Sequence, residues 1–242
     1  MLQIKNVAWS LPGGIEIIKG VDLTISDRKL IVVTGPNGGG KTTLAKLIAG
    51  VESPTSGQII FDGKDITDID ITTRAKMGIA FAFQQPVRFK GLAVRDLLEL
   101  ASGEALSDSE VCELLGNVGL CADEYIDREF NAALSGGESK RIELATVLAR
   151  KARLSVFDEP EAGIDLWSFT RLVETFEDLR SNHDGTLVII SHQERILAIA
   201  DEIIVLSDGQ VRAHGSRDEI LPQLLENEHA SRCPQGKEGK CS

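Results

Sequence analysis

The sequence predicts an α/β fold whose core is a mostly parallel sheet, with a small antiparallel β subdomain leaning on it and a helical subdomain inserted into it. Three observations carry this reading. An apolar, β-branched run at 30–34 leads into Gly35-Pro36-Asn37-Gly38-Gly39-Gly40-Lys41-Thr42 and then into a stretch of helical period at 43–49. Apolar runs at 79–83, 154–157 and 186–190 alternate with helical stretches, as in a parallel sheet covered on both faces. Between 92 and 150 the periodicity is helical throughout.

The elements follow in order. Residues 3–7, 16–19 and 21–25 read as short strands around a turn at Pro12-Gly13-Gly14. The helix opening at Lys41 closes at Gly50, and Ser53-Pro54-Thr55-Ser56-Gly57 turns the chain into a strand at 58–62. The strand at 79–83 ends on Gln84-Gln85-Pro86, where the proline stops the ladder and leaves the glutamines at the strand end. Helices follow at 94–101, at 107–118 with Ser107 as N-cap and Glu110 three residues on, and at 136–150. The chain then returns to strand (154–157), helix (166–180), strand (186–190) and helix (194–200). It ends in a hairpin of 203–206 and 210–213 across Asp208-Gly209 and a last helix at 217–226. Residues 1–226 therefore form the expected domain, with the helical insertion at about 86–150, and the polar residues 227–242 are expected to be disordered.

With 242 residues the chain is long enough for one large domain or a core with a subdomain. A formal charge of −11 argues against nucleic-acid or anionic-membrane binding, both of which rest on basic patches. No apolar run approaches the roughly 18–20 residues that cross a bilayer. Met1-Leu2-Gln3-Ile4-Lys5 begins in strand alternation, so no signal peptide is expected and the chain reads as soluble and cytoplasmic. Cys112, Cys121, Cys233 and Cys241 lack C-x-x-C spacing and read as free thiols. Of these, Cys233 and Cys241 bracket the polar tail.

The stretch at 35–42 has the composition of a phosphate cradle. Its glycines let backbone N–H groups turn inward around phosphate oxygens, and the following helix adds its positive N-terminal end. Lys41 is placed to reach β- and γ-phosphates and Thr42 to ligate Mg²⁺, with Thr43 beside them as part of the nucleotide cradle. Asp158-Glu159 follows an apolar strand, so Asp158 is expected to hold Mg²⁺ through water and Glu159 to orient or deprotonate the attacking water. Gln84 offers a carbonyl oxygen to the metal and an amide to that water, and His192 a hydrogen bond to the γ-phosphate. Ligands of open parallel sheets bind beyond the carboxyl ends of the strands, and Gly35, Gln84, Asp158 and His192 all follow such ends. Leu134-Ser135-Gly136-Gly137-Glu138 opens a helix as a second cradle. One terminal phosphate does not need two cradles, which points to two copies facing head to tail.

The phosphate loop, the Gln84 segment, LSGGE, VFDE, Ala162-Gly163-Ile164-Asp165 and His192 stand in an order that resembles the ATP-binding-cassette (ABC) ATPases over residues 1–225. The resemblance implies a P-loop NTPase of ABC type that hydrolyses ATP with Mg²⁺. It also implies that Ser135 and Gly137, around Gly136, reach the γ-phosphate of ATP held by a partner subunit, and that Asp165 lies in the loop joining the two sites. Phe81-Ala82-Phe83-Gln84-Gln85-Pro86-Val87, followed by Gly91, and Ser191-His192-Gln193-Glu194-Arg195-Ile196-Leu197 are similar to segments of the SufC family, cytosolic ATPases of iron–sulfur cluster assembly. That similarity implies an ATP-dependent homodimer that drives a shape change in a soluble scaffold related to SufB or SufD, without nucleic acid or membrane insertion. The alternative is the ATP-binding subunit of a membrane ABC transporter, gripping a permease's cytoplasmic helix near 84–92. A nucleotide-gated clamp is disfavoured by the intact Glu159 and His192. A DNA-repair cassette protein is disfavoured by the lack of a long coiled coil, zinc module or basic surface. Two positions depart from the ABC pattern. Leu11 stands where an aromatic usually meets adenine, with Trp9 on the opposite strand face, and Glu161-Ala162-Gly163 replaces a serine-alanine loop.

Overall fold

The computed structural model describes residues 1–84, 91–131, 133–182 and 184–232. Gln85, Pro86 and Val87, together with Cys233 and Cys241, lie outside them.

The N-terminal strands β1 (Leu2–Ser10) and β2 (Glu16–Ile25) precede β3 (Leu30–Thr34), which runs into α1 (Lys41–Ala49). β2 is one strand where the sequence suggested two: Gly20 takes φ 64° without ending the strand, and shifts of register with β1 between Ile4 and Val7 and between Val7 and Trp9 absorb the irregularity. After α1 come β4 (Ser56–Phe61), β5 (Lys64–Asp65), α2 (Ile71–Lys76) and β6 (Ile79–Ala82). The strands before β3 and after α1 form one antiparallel sheet of order β2-β1-β4-β5.

Among the described residues, four helices separate β6 from the next strand: α3 (Val94–Ser102), α4 (Asp108–Asn117), α5 (Ala122–Tyr125) and α6 (Gly136–Ala149). The chain continues through β7 (Leu154–Asp158), α7 (Leu166–Asn182), β8 (Thr186–Ile190), α8 (Glu194–Ala198), β9 (Glu202–Ser207), β10 (Gln210–Ser216) and α9 (Arg217–Arg232). α9 runs to Arg232, past the expected end of the last helix at 226. The short helices α2 and α5 were not legible in the sequence, because 6 and 4 residues are too few to establish a 3.6-residue period.

The main sheet has the order β10-β9-β3-β8-β7-β6, and all its pairings are parallel except β10 with β9. Its central strands are buried along their whole length, which is why they read as unbroken apolar runs. Alternate residues enter two cores: Leu30, Val32, Leu187, Ile189 and Phe157 pack under the α6–α7 face, whereas Ile31, Val33, Val188, Ile190 and Val156 pack against α1 and the antiparallel sheet. The consecutive order β3-β8-β7-β6, with Val33 opposite Ile190, Asp158 opposite Ile190 and Ala82 opposite Phe157, brings four strand ends to one edge.

Candidate functional site: a phosphate loop facing a carboxylate pair

That edge gathers Gly35, His192, Asp158, Glu159 and Gln84, as the sequence predicts. The loop between β3 and α1 is shaped by its glycines. Gly35 has φ 136°, and a Cβ there would stand 2.0 Å from Leu206 O, so no side chain fits. Gly40, at φ 100°, is the N-cap of α1 and lies against Ile17 and Ile18 of β2. With no acidic residue in its first turn and no side chain capping it, α1 presents free N–H groups towards the loop. Lys41 is buried, and its Nζ donates to Gly35 O at 2.8 Å and Pro36 O at 3.0 Å. Burial lowers its pKa, opposed by the nearby charges of Glu159 and Asp158. Pro36, Asn37 and Gly38 form the exposed rim, and Thr43 is half-buried in the first turn of α1.

Thr42 Oγ1 donates to Asp158 Oδ1 at 3.1 Å, so two of the three residues expected at the metal meet. Asp158 is 1% exposed, and burial raises its pKa against the Thr42 hydrogen bond. Gln84, the third expected ligand, is not part of that pair: its Nε2 donates instead to Glu159 Oε2 at 2.7 Å. Glu159 holds a left-handed backbone, φ 47°, unusual for a side chain of this size, while its N–H donates to Ile190 O at 3.0 Å. His192 is exposed after β8 and shares a cleft of about 390 Å³ with Gly35, Pro36 and the α9 residues Leu221, Leu224 and Leu225.

Two supporting residues, Lys140 and Glu143, escaped the sequence reading. Lys140, 1% exposed, donates to Phe83 O and pairs with Glu143, which accepts from Phe83 N at 3.0 Å, so α6 grips the chain just before Gln84. Burial lowers the pKa of Lys140 and raises that of Glu143. Glu161, in the loop that departs from the serine-alanine pattern, accepts from Ser191 Oγ at 2.5 Å and so ties that loop to the residue before His192. Its other oxygen is buried without a hydrogen bond, and desolvation raises its pKa. Lys140 and Glu143 are not motif positions, and buried charged residues spaced along a helix carry no sequence signal of their partners.

The second cradle is a capped helix start. Ser135 Oγ accepts from Glu138 N at 3.2 Å, and Glu138 Oε2 accepts from Ser135 N at 2.7 Å. Tyr125 donates to the other Glu138 oxygen and, with Ser135, holds that carboxyl down at about 2. Gly136 faces open space, and a Cβ on Gly137 would lie 3.0 Å from Gly163 O. Asp165 caps α7, accepting from Trp167 N, Ser168 N and Ser168 Oγ at 3.1, 3.0 and 2.7 Å. The 135–137 turn and the loop leading to Asp165 therefore lie side by side. At the antiparallel sheet Trp9 packs into the core and Leu11 faces outward beside an exposed Ile15, with Leu11 N donating to Ile15 O at 2.9 Å.

The sequence pattern of the ABC transporter family matches residues 18–162, from the strand under the phosphate loop to the residues after the carboxylate pair. This chain belongs to that family. It is 39% identical over 216 residues to the uncharacterized ABC transporter ATP-binding protein MJ0035 of Methanocaldococcus jannaschii, covering 86% of each chain. It is 33% identical over 225 residues to the Fe(3+) ions import ATP-binding protein FbpC of Photobacterium profundum, covering 90% of this chain and 62% of that one. Its fold matches the dimeric, post-hydrolysis structure of the ATP-binding cassette MJ0796 bound to ADP and Pi, with a TM-score of 0.80 and 25% identity over 90% of this chain and 99% of that one. The ABC chain described here is thus an ATP-binding, ATP-hydrolysing P-loop NTPase. Among its described residues no helix is long and apolar enough to cross a membrane.

Proposed function

We propose that two copies of this ABC chain close head to tail on ATP and that hydrolysis between them drives a shape change in a membrane permease. The observation that carries the chemistry is the pairing at the sheet edge: Thr42 with Asp158 beside the phosphate loop, and Gln84 with Glu159 next to it. Mg²⁺ fits the Thr42–Asp158 pair, since both offer hard oxygen ligands and the phosphates complete the set. When bound it supplies positive charge to the phosphate oxygens. In this reading Lys41 releases Gly35 O and Pro36 O to neutralise the β- and γ-phosphates. Glu159 orients the attacking water and takes its proton, Gln84 fixes the Glu159 carboxylate, and His192 donates to the γ-phosphate. Ser135 of the partner subunit and the partner's Gly137 close over the γ-phosphate, and Asp165 links the two sites. The helical stretch about 86–150 carries the second cradle and moves against the core.

The permease reading is supported by relatives whose names are those of transporter and import ATP-binding proteins. A second reading, a soluble scaffold related to SufB or SufD, is favoured by the Ser191–Leu197 segment, in which Arg195 ties α8 to α7 through Thr170. Recovery of the Glu159→Gln chain from its native cells with ATP separates the two. An integral membrane protein held only in detergent supports the permease. A soluble partner carrying iron and sulfide overturns it in favour of the scaffold.

A further inference from the structure

Trp167 is 85% exposed and its neighbour Leu166 71%, the two most exposed large apolar side chains among the described residues. Tryptophan is on average a highly buried residue, so this pair is a feature to be covered. It does not sit on a loose loop. Asp165 caps the turn. Arg141 of α6 bonds Ser168 Oγ at 2.9 Å and Gly119 O at 3.0 Å. Arg195 of α8 bonds Thr170 Oγ1 at 2.9 Å and lies over the Phe169 ring. The first turn of α7 is thus fastened both to the helix that carries the second cradle and to the helix that follows His192, and Trp167 projects from it as an exposed aromatic.

We propose that Leu166 and Trp167 are the apolar anchor by which a second copy of this chain docks in the ATP-bound state, an inference that rests on the head-to-tail reading above. Two observations favour a second copy as the occupant. Gly163 O lies so close to Gly137 that the 135–137 loop, the 162–165 loop and the first turn of α7 form one continuous surface. A copy that brings its nucleotide to Ser135 and Gly137 approaches the same surface as the start of α7. Each chain also carries a formal charge of −11, so two copies repel, and the first turn of α7 contains no acidic residue. An apolar, uncharged contact at this place offsets that repulsion where the surfaces meet. Tryptophan in such a position supplies a large share of an interface's binding energy.

The test reads association and shielding on the same samples. The full chain carrying Glu159→Gln is taken through sedimentation velocity and acrylamide quenching of tryptophan fluorescence, with and without MgATP. The same chain with Trp167→Phe supplies the background from Trp9. The expected result is an ATP-dependent dimer in which the Trp167 signal becomes shielded from acrylamide. Adding Trp167→Glu is expected to weaken dimerisation at least about thirtyfold while the monomer still binds ATP. A dimer in which Trp167 quenches as freely as in the monomer overturns the anchor and leaves the head-to-tail reading standing. Failure to dimerise with ATP bound, at any concentration, overturns the head-to-tail reading itself. Shielding that appears only when a permease or scaffold protein is added assigns the patch to that partner and overturns the second copy as its occupant.

Discussion

Glu159 concentrates the residue-scale argument. Its left-handed backbone stores roughly 1–3 kcal/mol of strain, which only the surrounding ladder holds in place. The result is a carboxylate aimed at Gln84 and close enough to Lys41 to act on its charge. Glu159→Gln keeps the size and backbone of this residue but loses the proton acceptor, so turnover is expected to fall at least about a hundredfold with ATP affinity retained. Phosphate release and calorimetric titration check the two halves, and near wild-type turnover removes Glu159 from its proposed role. Lys41→Ala is expected to abolish ATP binding in the same titration. Glu138 offers a residue-scale test by pH. Its folded carboxyl is held at about 2, below the ordinary value of 4.5, first by Tyr125 and then by Ser135. The stability it contributes is therefore complete above about 4.5 and is lost as pH falls from there through about 2. Tyr125→Phe is expected to move the carboxyl back towards the ordinary range in a carboxyl-resolved NMR titration. An unmoved carboxyl denies Tyr125 this part.

At the scale of elements, α1 shows how the phosphate loop is braced from behind. Its N-terminus faces the loop, and its C-terminus ends at Gly50, where Arg74 of α2 takes over the carbonyls. Arg74 is 1% exposed and donates to Leu47 O, Ile48 O, Ile66 O, Thr67 O and Ile69 O at 2.6 to 3.0 Å. Burial lowers its pKa, and nearby Asp65, Asp68 and Asp70 oppose that shift. Arg74→Met fills most of the space but leaves the helix-end carbonyls unsatisfied, which is expected to destabilise the fold by about 3 kcal/mol. For a chain of this size that lowers Tm by roughly 6–12 °C in a thermal melt. A Tm within a degree of wild type means that water serves those carbonyls as well. The sequence made α1 legible through its loop and Gly50, but it gave no sign of Arg74, because the carbonyls it serves come from two other segments.

For the whole molecule, one chain carries two cradles, the phosphate loop and the helix start at Ser135, and the proposed cycle needs both at one nucleotide. This predicts complementation between defective copies. Lys41→Ala and Ser135→Arg chains are each expected to be inactive alone. Mixed in equal amounts they should regain roughly a quarter of wild-type turnover, since half of the dimers are mixed and each of those has one complete site of two. Loss of the Ser135 cap costs about 1 kcal/mol, too little to unfold the chain. No recovery on mixing, with both variants folded, means that each chain works with its own residues.

The sequence by itself determined the α/β class, the parallel strands and the residues that end them, because buried strands must be apolar throughout and a phosphate loop needs glycines at fixed spacing. The hairpin at Asp208-Gly209, whose φ values are 53° and 74°, was legible for the same local reason. Only the tertiary structure decided which of the strand-end residues touch. The order β3-β8-β7-β6 sets Thr42 against Asp158 and Gln84 against Glu159, and strand order depends on crossovers that no local pattern encodes. The same holds for the grip of Lys140 and Glu143 on Phe83, for Glu161 against Ser191, and for the exposure of Trp167. Each depends on elements distant in sequence meeting, or on no described residue covering a side chain that composition alone assigns to the core.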